Sequence, residues 1–219
     1  MSEKKGLPSL LDRHWAESAL AIGAVIIAAA SLWVAVDAER TNRELVTSAS
    51  WPFVQFYDSY TPAGVEPPGM TFMVSNAGIG PAKLESFEVF WKGRPQRSPW
   101  QLLQTCCAQA GTGAGQPGSV EAIRRIDGLD NFSVTGIVLR AGEKIPILTF
   151  TRSASNAALW DALQSQFTGN LGVQYCYCSA FDECWVNSAL VGGMRNLNPR
   201  KVSSCPRPKV AYNSPGDGR

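Results

Sequence analysis

The longest apolar run of the chain lies near its N-terminus, at residues 15–36, "WAESALAIGAVIIAAASLWVAV". Its last 18 residues, from Ala19 to Val36, carry no charge. Because a helix rises about 1.5 Å per residue, a run of this length crosses a hydrocarbon core of about 30 Å. Trp15 and Trp33 stand near its two ends, where indole rings favour the membrane interface. The pattern predicts a transmembrane helix over residues 15–36.

Charges on either side of this run predict its orientation. Basic side chains are slightly more frequent before the run than after it, which favours a cytoplasmic N-terminus: Lys4, Lys5 and Arg13 precede it, and Arg40 and Arg43 follow it. We therefore expect a single-pass protein of a bacterial inner membrane, with residues 1–14 in the cytoplasm and the C-terminal domain in the periplasm. A signal peptide cleaved near residues 36–38 is the alternative, although its apolar region is usually only about 7–15 residues long.

Small residues in the predicted helix favour contact with other membrane helices. They recur at four-residue intervals, at Ala19 and Gly23 and again at Ala24 and Ala28. Small side chains let helices approach closely in lipid, although alanine is also common in bacterial anchors. The expected partners are membrane lipid and other membrane-protein subunits.

Beyond the apolar run, the pattern changes from helical to alternating. Residues 37–50 contain no Gly or Pro and predict a helical stalk, which Trp51-Pro52 ends. Alternating or aromatic-rich segments then predict seven strands, at 53–60, 70–76, 82–93, 131–140, 144–152, 171–179 and 184–191. Two segments predict short helical inserts, at 98–110 and 155–167. The predicted fold is mainly β: an antiparallel immunoglobulin-like sandwich over residues 51–195, followed by an extended C-terminal tail over 196–219 that we interpret as a solvated basic arm.

One stretch of this domain resembles a known family. Residues 70–93, "MTFMVSNAGIGPAKLESFEVFWKG", are similar to the strand, "N-x-G-x-G-x-A", strand, "G" pattern of bacterial exported immunoglobulin-like adhesion modules. The resemblance implies a turn made by the Asn and Gly residues, an exported setting and no catalysis.

Composition and charge exclude several function classes. The net charge is only +2, so nothing favours nucleic acid as a partner. The single histidine is His14, which removes histidine-based nucleophilic catalysis from the predicted exported domain. Carboxylates without a recognisable signature leave a hydrolase as the least favoured hypothesis, and they are Asp127, Asp130, Glu143, Asp161, Asp182 and Glu183.

Two short motifs add little to this picture. "GAGQPG" at 113–118 matches a dinucleotide-binding pattern formally, but a predicted helix precedes it and Pro117 interrupts it, so it is interpreted as a loop. Asn131-Phe132-Ser133 fits a glycosylation acceptor, which has meaning only in a eukaryotic secretory pathway.

Cysteines are the most informative polar residues, and all of them follow the apolar run: Cys106, Cys107, Cys176, Cys178, Cys184 and Cys205. An even set on the exported side predicts disulfides. A loop of residues 179–183 would place Cys178 opposite Cys184. We expect Cys106 or Cys107 to pair with Cys176, and Cys205 to pair with whichever of those two is left.

The sequence leaves two functional hypotheses. The favoured one is a non-catalytic accessory or scaffold subunit of a larger membrane complex, with no cofactor, whose disulfide-stabilised domain docks on partner subunits. The alternative is a membrane-anchored metal-binding or redox module that uses Cys176, Cys178 and Cys184, with Cu⁺ or Zn²⁺ as the ion.

Overall fold

The apolar N-terminal run lies in one continuous helix in the computed structural model of the chain, which describes residues 10–61, 67–107, 126–192 and 198–212. Helix α1 spans Leu10–Ser48 and has 39 residues. The most apolar 18-residue stretch of its segment Glu17–Ser48 has a mean hydropathy of 2.5, and none of that stretch is buried. Among the described residues, one helix is long and apolar enough to span a membrane, and that helix is α1. The predicted helix is confirmed, and it runs through the expected boundary between membrane segment and stalk without a break.

The remaining described residues form a mainly β unit that begins at Ala49. Ten strands are assigned in the described ranges: β1 Val54–Thr61, β2 Gly69–Asn76, β3 Ala82–Trp91, β4 Arg94–Gln96, β5 Leu129–Asn131, β6 Val138–Leu139, β7 Lys144–Thr151, β8 Leu171–Cys178, β9 Cys184–Leu190 and β10 Arg200–Val202. Two further helices lie between strands, α2 Pro99–Cys107 and α3 Ala157–Gln166.

The strands form two antiparallel sheets. The first has the order β1-β2-β7-β5, and the second has the order β10-β9-β8-β3-β4, with β6 also paired to β3. Every pairing is antiparallel, and the longest registers join β1 to β2, β2 to β7, β3 to β8 and β8 to β9.

Side chains from both sheets fill one hydrophobic core. Phe72 of the first sheet and Phe87 and Val173 of the second are all buried in it. In β8 the inward positions include Tyr175 and Tyr177, and the cysteines alternate with them. Trp160 of α3 joins the same core and donates its indole N–H to the Phe150 carbonyl, 2.9 Å away. Period-two alternation along the strands therefore gives each sheet one face that packs into the shared core.

Six of the seven predicted strands are confirmed to within two residues, but the prediction for 131–140 is wrong. That segment crosses between the sheets: β5 pairs with β7 in the first sheet, and β6 pairs with β3 in the second. The physical reason is a turn at Thr135-Gly136, where Gly136 adopts φ +81°. Its amide N–H donates to the Leu84 carbonyl, 2.7 Å away, which ties the crossing segment to β3.

The C-terminal segment also departs from the sequence interpretation. Residues 198–212 are not a solvated arm, because β10 pairs with β9 and Tyr212 is buried in the main core. The backbone N–H groups of Lys209 and Val210 both donate to the Glu88 carboxylate, at 3.0 and 3.3 Å. We call residues 200–212 the C-terminal strap, since they pair with β9 and contact Glu88 of β3 in the second sheet.

Candidate functional site

The hairpin between β8 and β9 places the first pair of cysteines. Its loop covers residues 179–183, and the register sets Cys178 directly opposite Cys184. The Ser179 N–H donates to the Glu183 carbonyl at 2.7 Å, while the Ser179 hydroxyl accepts N–H bonds from Phe181 and Glu183. Asp182 adopts φ +59°, a backbone region that Asp tolerates better than most residues. This five-residue loop therefore fixes the alignment on which the Cys178–Cys184 disulfide depends, with a Cα separation of 4.0 Å.

The C-terminal strap supplies the second pair. Cys205 follows β10 and is bonded to Cys176, with a Cα separation of 5.6 Å. Cys176 and Cys178 are two residues apart on the same face of β8, so the two disulfides lie side by side. The Sγ atoms of Cys178 and Cys205, which belong to different disulfides, are only 3.6 Å apart. We call Cys176, Cys178, Cys184 and Cys205 the four-cysteine cluster.

This cluster has its own apolar surroundings, separate from the main core. Cys176, Cys178 and Cys184 are 1, 6 and 4% exposed, and Cys205 is half-buried. Val186 and Val202 pack against them. The sulfurs therefore lie in a small apolar layer under the C-terminal strap, with Cys205 as the most accessible of the four.

Ion pairs border the cluster. Lys201 of the strap contacts the Glu183 carboxylate at 2.5 Å and lies over the Trp185 ring, 5.8 Å from its centroid. Lys83 is paired in register with Cys178 and contacts Glu85 at 2.7 Å. The hydrogen bond from Lys83 to Glu85 raises the pKa of the Lys83 ammonium above its usual value. Lys83 and Lys201 thus each have a carboxylate partner.

The expected pairing of the other cysteines is wrong. Cys106 and Cys107 are bonded to each other at the end of α2, with a Cα separation of 3.7 Å. They do not reach Cys176, because Cys107 packs into the main core while Cys176 faces the opposite side of β8. Cys205 was expected to pair with whichever of Cys106 and Cys107 was left, but it is bonded to Cys176.

The structure brings three cysteine sulfurs together, but the set differs from the Cys176, Cys178 and Cys184 expected from sequence as metal ligands. The Sγ atoms of Cys178, Cys184 and Cys205 all lie within 4.8 Å of one another. Cys176 joins them through its bond to Cys205. Cys205 was not placed at this site from sequence, because the C-terminal tail that carries it was interpreted as a solvated arm.

A second distinctive feature is the turn that resembles the adhesion modules. Asn76 is fully buried, and its side chain makes four hydrogen bonds. Its Oδ1 accepts from the N–H groups of Phe53 and Gly78, and its Nδ2 donates to the carbonyls of Gly80 and Leu139, at 2.7–3.2 Å. The amide therefore connects the turn at 78–80 with the backbone at Phe53 and at Leu139, which is more than a local turn requires.

Gly78 and Gly80 allow the start of the β unit to lie directly against this turn. A Cβ on Gly78 would overlap the backbone of Trp51 to Phe53, and one on Gly80 would overlap the Ser50 carbonyl. The Trp51 carbonyl accepts N–H bonds from Ile79 and Gly80, at 3.1 and 3.3 Å. We call this arrangement the Asn76 clamp, since it holds residues 50–53 onto the turn at 76–80.

The clamp displays apolar side chains at the surface. Trp51 is 45% exposed and Ile79 is 66% exposed, and the Trp51 ring lies 5.4 Å from the Phe53 ring. Trp91 and Trp185, by contrast, are buried, and Trp100 packs against the core. Of these four tryptophans, Trp51 is the exposed one.

The candidate carboxylates have mostly structural contacts. Glu143 accepts the Arg140 N–H at 2.7 Å, and Asp161 pairs with the Arg152 guanidinium at 2.9 Å. That hydrogen bond to Arg152 lowers the pKa of the Asp161 carboxyl below its usual value. The loop at 113–118 lies outside the described residues, and the structure describes Asn131-Phe132-Ser133 as the end of β5 and the residues after it.

Comparison with known proteins adds no assignment. No protein-family model matches the chain, and no curated protein sequence matches it.

Proposed function

We propose that the protein is a non-catalytic accessory or scaffold subunit of a larger membrane protein complex. Helix α1 anchors it in a bacterial inner membrane with the N-terminus in the cytoplasm. The β unit, as an immunoglobulin-like sandwich in the periplasm, docks on partner subunits. The observation that carries this proposal is the pair of exposed apolar side chains, Trp51 and Ile79, held in place by the Asn76 clamp.

The clamp favours docking because the backbone of the proposed interface is already ordered before a partner binds. Less conformational entropy is then lost on binding. Four hydrogen bonds from one buried amide fix the backbone that carries Trp51 and Ile79. A rigid, exposed tryptophan is the residue type that most often dominates binding energy at protein interfaces. Preorganisation of this kind increases affinity without additional contacts.

Helix α1 supports the same role in the membrane. None of its most apolar stretch, which includes Ala24 and Ala28, is buried. Pairs of small residues four apart allow a neighbouring helix to approach closely in lipid. The helix thus offers a second contact with the same partner subunits.

Affinity purification from membranes tests the docking role. A tagged full-length chain, extracted in several mild detergents, is expected to bring down membrane-protein partners in stoichiometric amounts. Trp51→Ser together with Ile79→Ser should lower partner recovery about tenfold or more, the effect of removing an interface hot spot. The matched control is Phe181→Ser, since Phe181 is 49% exposed in the β8–β9 loop. Recovery of the wild-type chain alone in every detergent contradicts the proposal.

A parallel pair of variants tests the membrane contact. Ala24→Leu with Ala28→Leu should reduce partner recovery, because the larger side chains hold a neighbouring helix away. Ala29→Leu is the control, since Ala29 lies about 100° around the helix from Ala28 and about 140° from Ala24. Equal loss with both sets of variants would show that the effect is not specific to this face.

One observation favours a second candidate, a thiolate metal site. The close grouping of the Cys178, Cys184 and Cys205 sulfurs provides soft ligands of the kind that bind Cu⁺ or Zn²⁺ once they are reduced. The reduced full-length protein should then bind one ion per chain. Cys178→Ser with Cys184→Ser should abolish this binding, and Cys106→Ser with Cys107→Ser should leave it unchanged. Absence of tight binding to the reduced protein eliminates this candidate.

A further inference from the structure

The two disulfides of the four-cysteine cluster are close enough to react with each other. The 3.6 Å between Cys178 Sγ and Cys205 Sγ joins one sulfur from each bond. A distance of about 3–3.5 Å between reacting atoms is typical of a near-attack arrangement. A thiolate released at either residue would thus lie almost in contact with the other disulfide.

We propose that the four-cysteine cluster is a thiol–disulfide exchange site that takes a dithiol reductant and rearranges to a Cys178–Cys205 disulfide. This activity goes beyond the accessory role and does not depend on it. In such an exchange a thiolate attacks a disulfide sulfur and a new thiolate leaves, and the arrangement of the four sulfurs permits this step.

Entry of the reductant is easiest at Cys205, because it is half-buried while the other three residues are buried. A thiolate of the dithiol attacks Cys205 Sγ, the bond to Cys176 breaks, and Cys176 leaves as a thiolate that takes up a proton. The second thiolate of the dithiol then attacks its own sulfur in the mixed disulfide. The dithiol leaves as a cyclic disulfide, and Cys205 is released as a thiolate.

The rearrangement follows within the protein. The Cys205 thiolate attacks Cys178 Sγ, the Cys178–Cys184 bond breaks, and Cys184 leaves as a thiolate that takes up a proton. The dithiol has lost two electrons and the cluster has gained two. The product has one disulfide, Cys178–Cys205, and two thiols, Cys176 and Cys184.

The other point of entry gives the same product. If the dithiol first opens Cys178–Cys184 by attack at Cys184, the released Cys178 thiolate attacks Cys205 Sγ and Cys176 leaves. Resolution of the mixed disulfide then frees Cys184. Both routes converge because the Cys178–Cys205 distance is the contact that joins the two bonds. The rearranged bond also keeps the C-terminal strap attached to β8.

Trapping and mapping of the two-electron-reduced protein tests this proposal. The full-length protein in detergent is treated with one equivalent of dithiothreitol, then alkylated at acidic pH, where thiolates are scarce and exchange is slow. Fragment spectra of non-reduced peptides then locate the alkyl groups and the remaining bonds. The expected major species carries alkyl groups on Cys176 and Cys184 and a cross-link between Cys178 and Cys205.

Alkyl groups mainly on the original pairs, Cys176 with Cys205 or Cys178 with Cys184, overturn the proposal. The experiment is repeated with Cys106→Ser and Cys107→Ser, so that the bond in α2 cannot take up the reductant, and the same map is expected. The variant with Cys178→Ser and Cys184→Ser lacks the second disulfide of the cluster, so the rearrangement cannot occur. Alkylation is then expected on Cys176 and Cys205. Mapping of the wild-type protein needs no substitution, so the test stands even if a variant does not fold.

Discussion

The hydroxyl of Tyr175 donates a hydrogen bond to the carbonyl of Val54, 3.1 Å away, and thereby joins β8 of the second sheet to β1 of the first. The same hydroxyl accepts a hydrogen bond from the Asn187 amide, also at 3.1 Å. Tyr177 lies two residues farther along β8 and is equally buried, yet its hydroxyl has no hydrogen-bond partner within the part of the chain that the structure describes. The two tyrosines form a matched pair for measuring what the cross-sheet contact contributes.

We predict different changes in the free energy of unfolding for the two phenylalanine variants. Tyr175→Phe should lower the free energy of unfolding by about 1–3 kcal/mol, because it leaves the buried Val54 carbonyl without this donor. Tyr177→Phe should change it by less than about 0.5 kcal/mol or raise it, since it removes a buried polar group that gains nothing in the core. Urea unfolding of the two variants measures both values, and equal losses would contradict the assignment of the contact.

Burial of the tyrosines also predicts alkaline sensitivity. Burial raises the pKa of Tyr177 from 10.0 to about 12, and it raises the pKa of Tyr175 and Tyr212 as well. Well below pH 10 the hydroxyls are protonated in both the folded and the unfolded state, so stability does not change with pH through their ionisation. Above pH 10 the unfolded chain releases protons that the folded chain retains, so the free energy of unfolding falls by about 1.4 kcal/mol per pH unit for each such group.

Tyr177→Phe tests this pH dependence directly. It should make the decline in unfolding free energy above about pH 10 shallower by about 1.4 kcal/mol per unit, up to about pH 12. Denaturant unfolding at several pH values gives the slope. An unchanged slope would show that Tyr177 ionises at its ordinary pKa in the folded protein.

The Asn76 clamp predicts which glycines tolerate a side chain. Gly80→Ala should cost about 3 kcal/mol, the upper end for over-packing, because the new Cβ overlaps the Ser50 backbone. Gly172→Ala is the matched control, since its nearest contacts would lie at an ordinary 3.7 Å. Thermal and urea unfolding of the two variants should separate them clearly, and comparable stabilities would refute the close approach at the clamp.

The strand pattern was predictable from sequence because its signals are local. Alternating side chains and turn residues predict β1, β2, β3 and β7 without knowledge of the rest of the chain. The disulfide between Cys178 and Cys184 was also accessible, since the five-residue loop alone sets its register.

The remaining features depend on distant parts of the chain and could not be read locally. The Cys176–Cys205 bond requires the C-terminal strap to return to β8, and Glu88 of β3 holds that strap through the N–H groups of Lys209 and Val210. The role of Asn76 likewise depends on Phe53 and Leu139, which are far from it in sequence. A residue that looks like an ordinary turn asparagine is a buried connector.

The three disulfides should contribute unequally to stability. In the loop-entropy account, the Cys176–Cys205 bond, with a sequence separation of 29, is worth about 3.5 kcal/mol, and the Cys178–Cys184 bond, with a separation of 6, about 2 kcal/mol. The Cys106–Cys107 bond joins neighbours and closes the smallest loop. Paired serine variants, compared by urea unfolding, should follow this order, and the largest loss at Cys106 and Cys107 would contradict it.

We propose that the β unit is exported to an oxidising compartment, where its cysteines are paired as the structure has them. The most direct test is the intact mass of the full-length protein, isolated from membranes and alkylated under denaturing conditions with and without prior reduction. The account predicts no added alkyl group without reductant and six after reduction, matching the three disulfides. Six alkyl groups without reductant would contradict it, because all the cysteines would then be free thiols in the native protein.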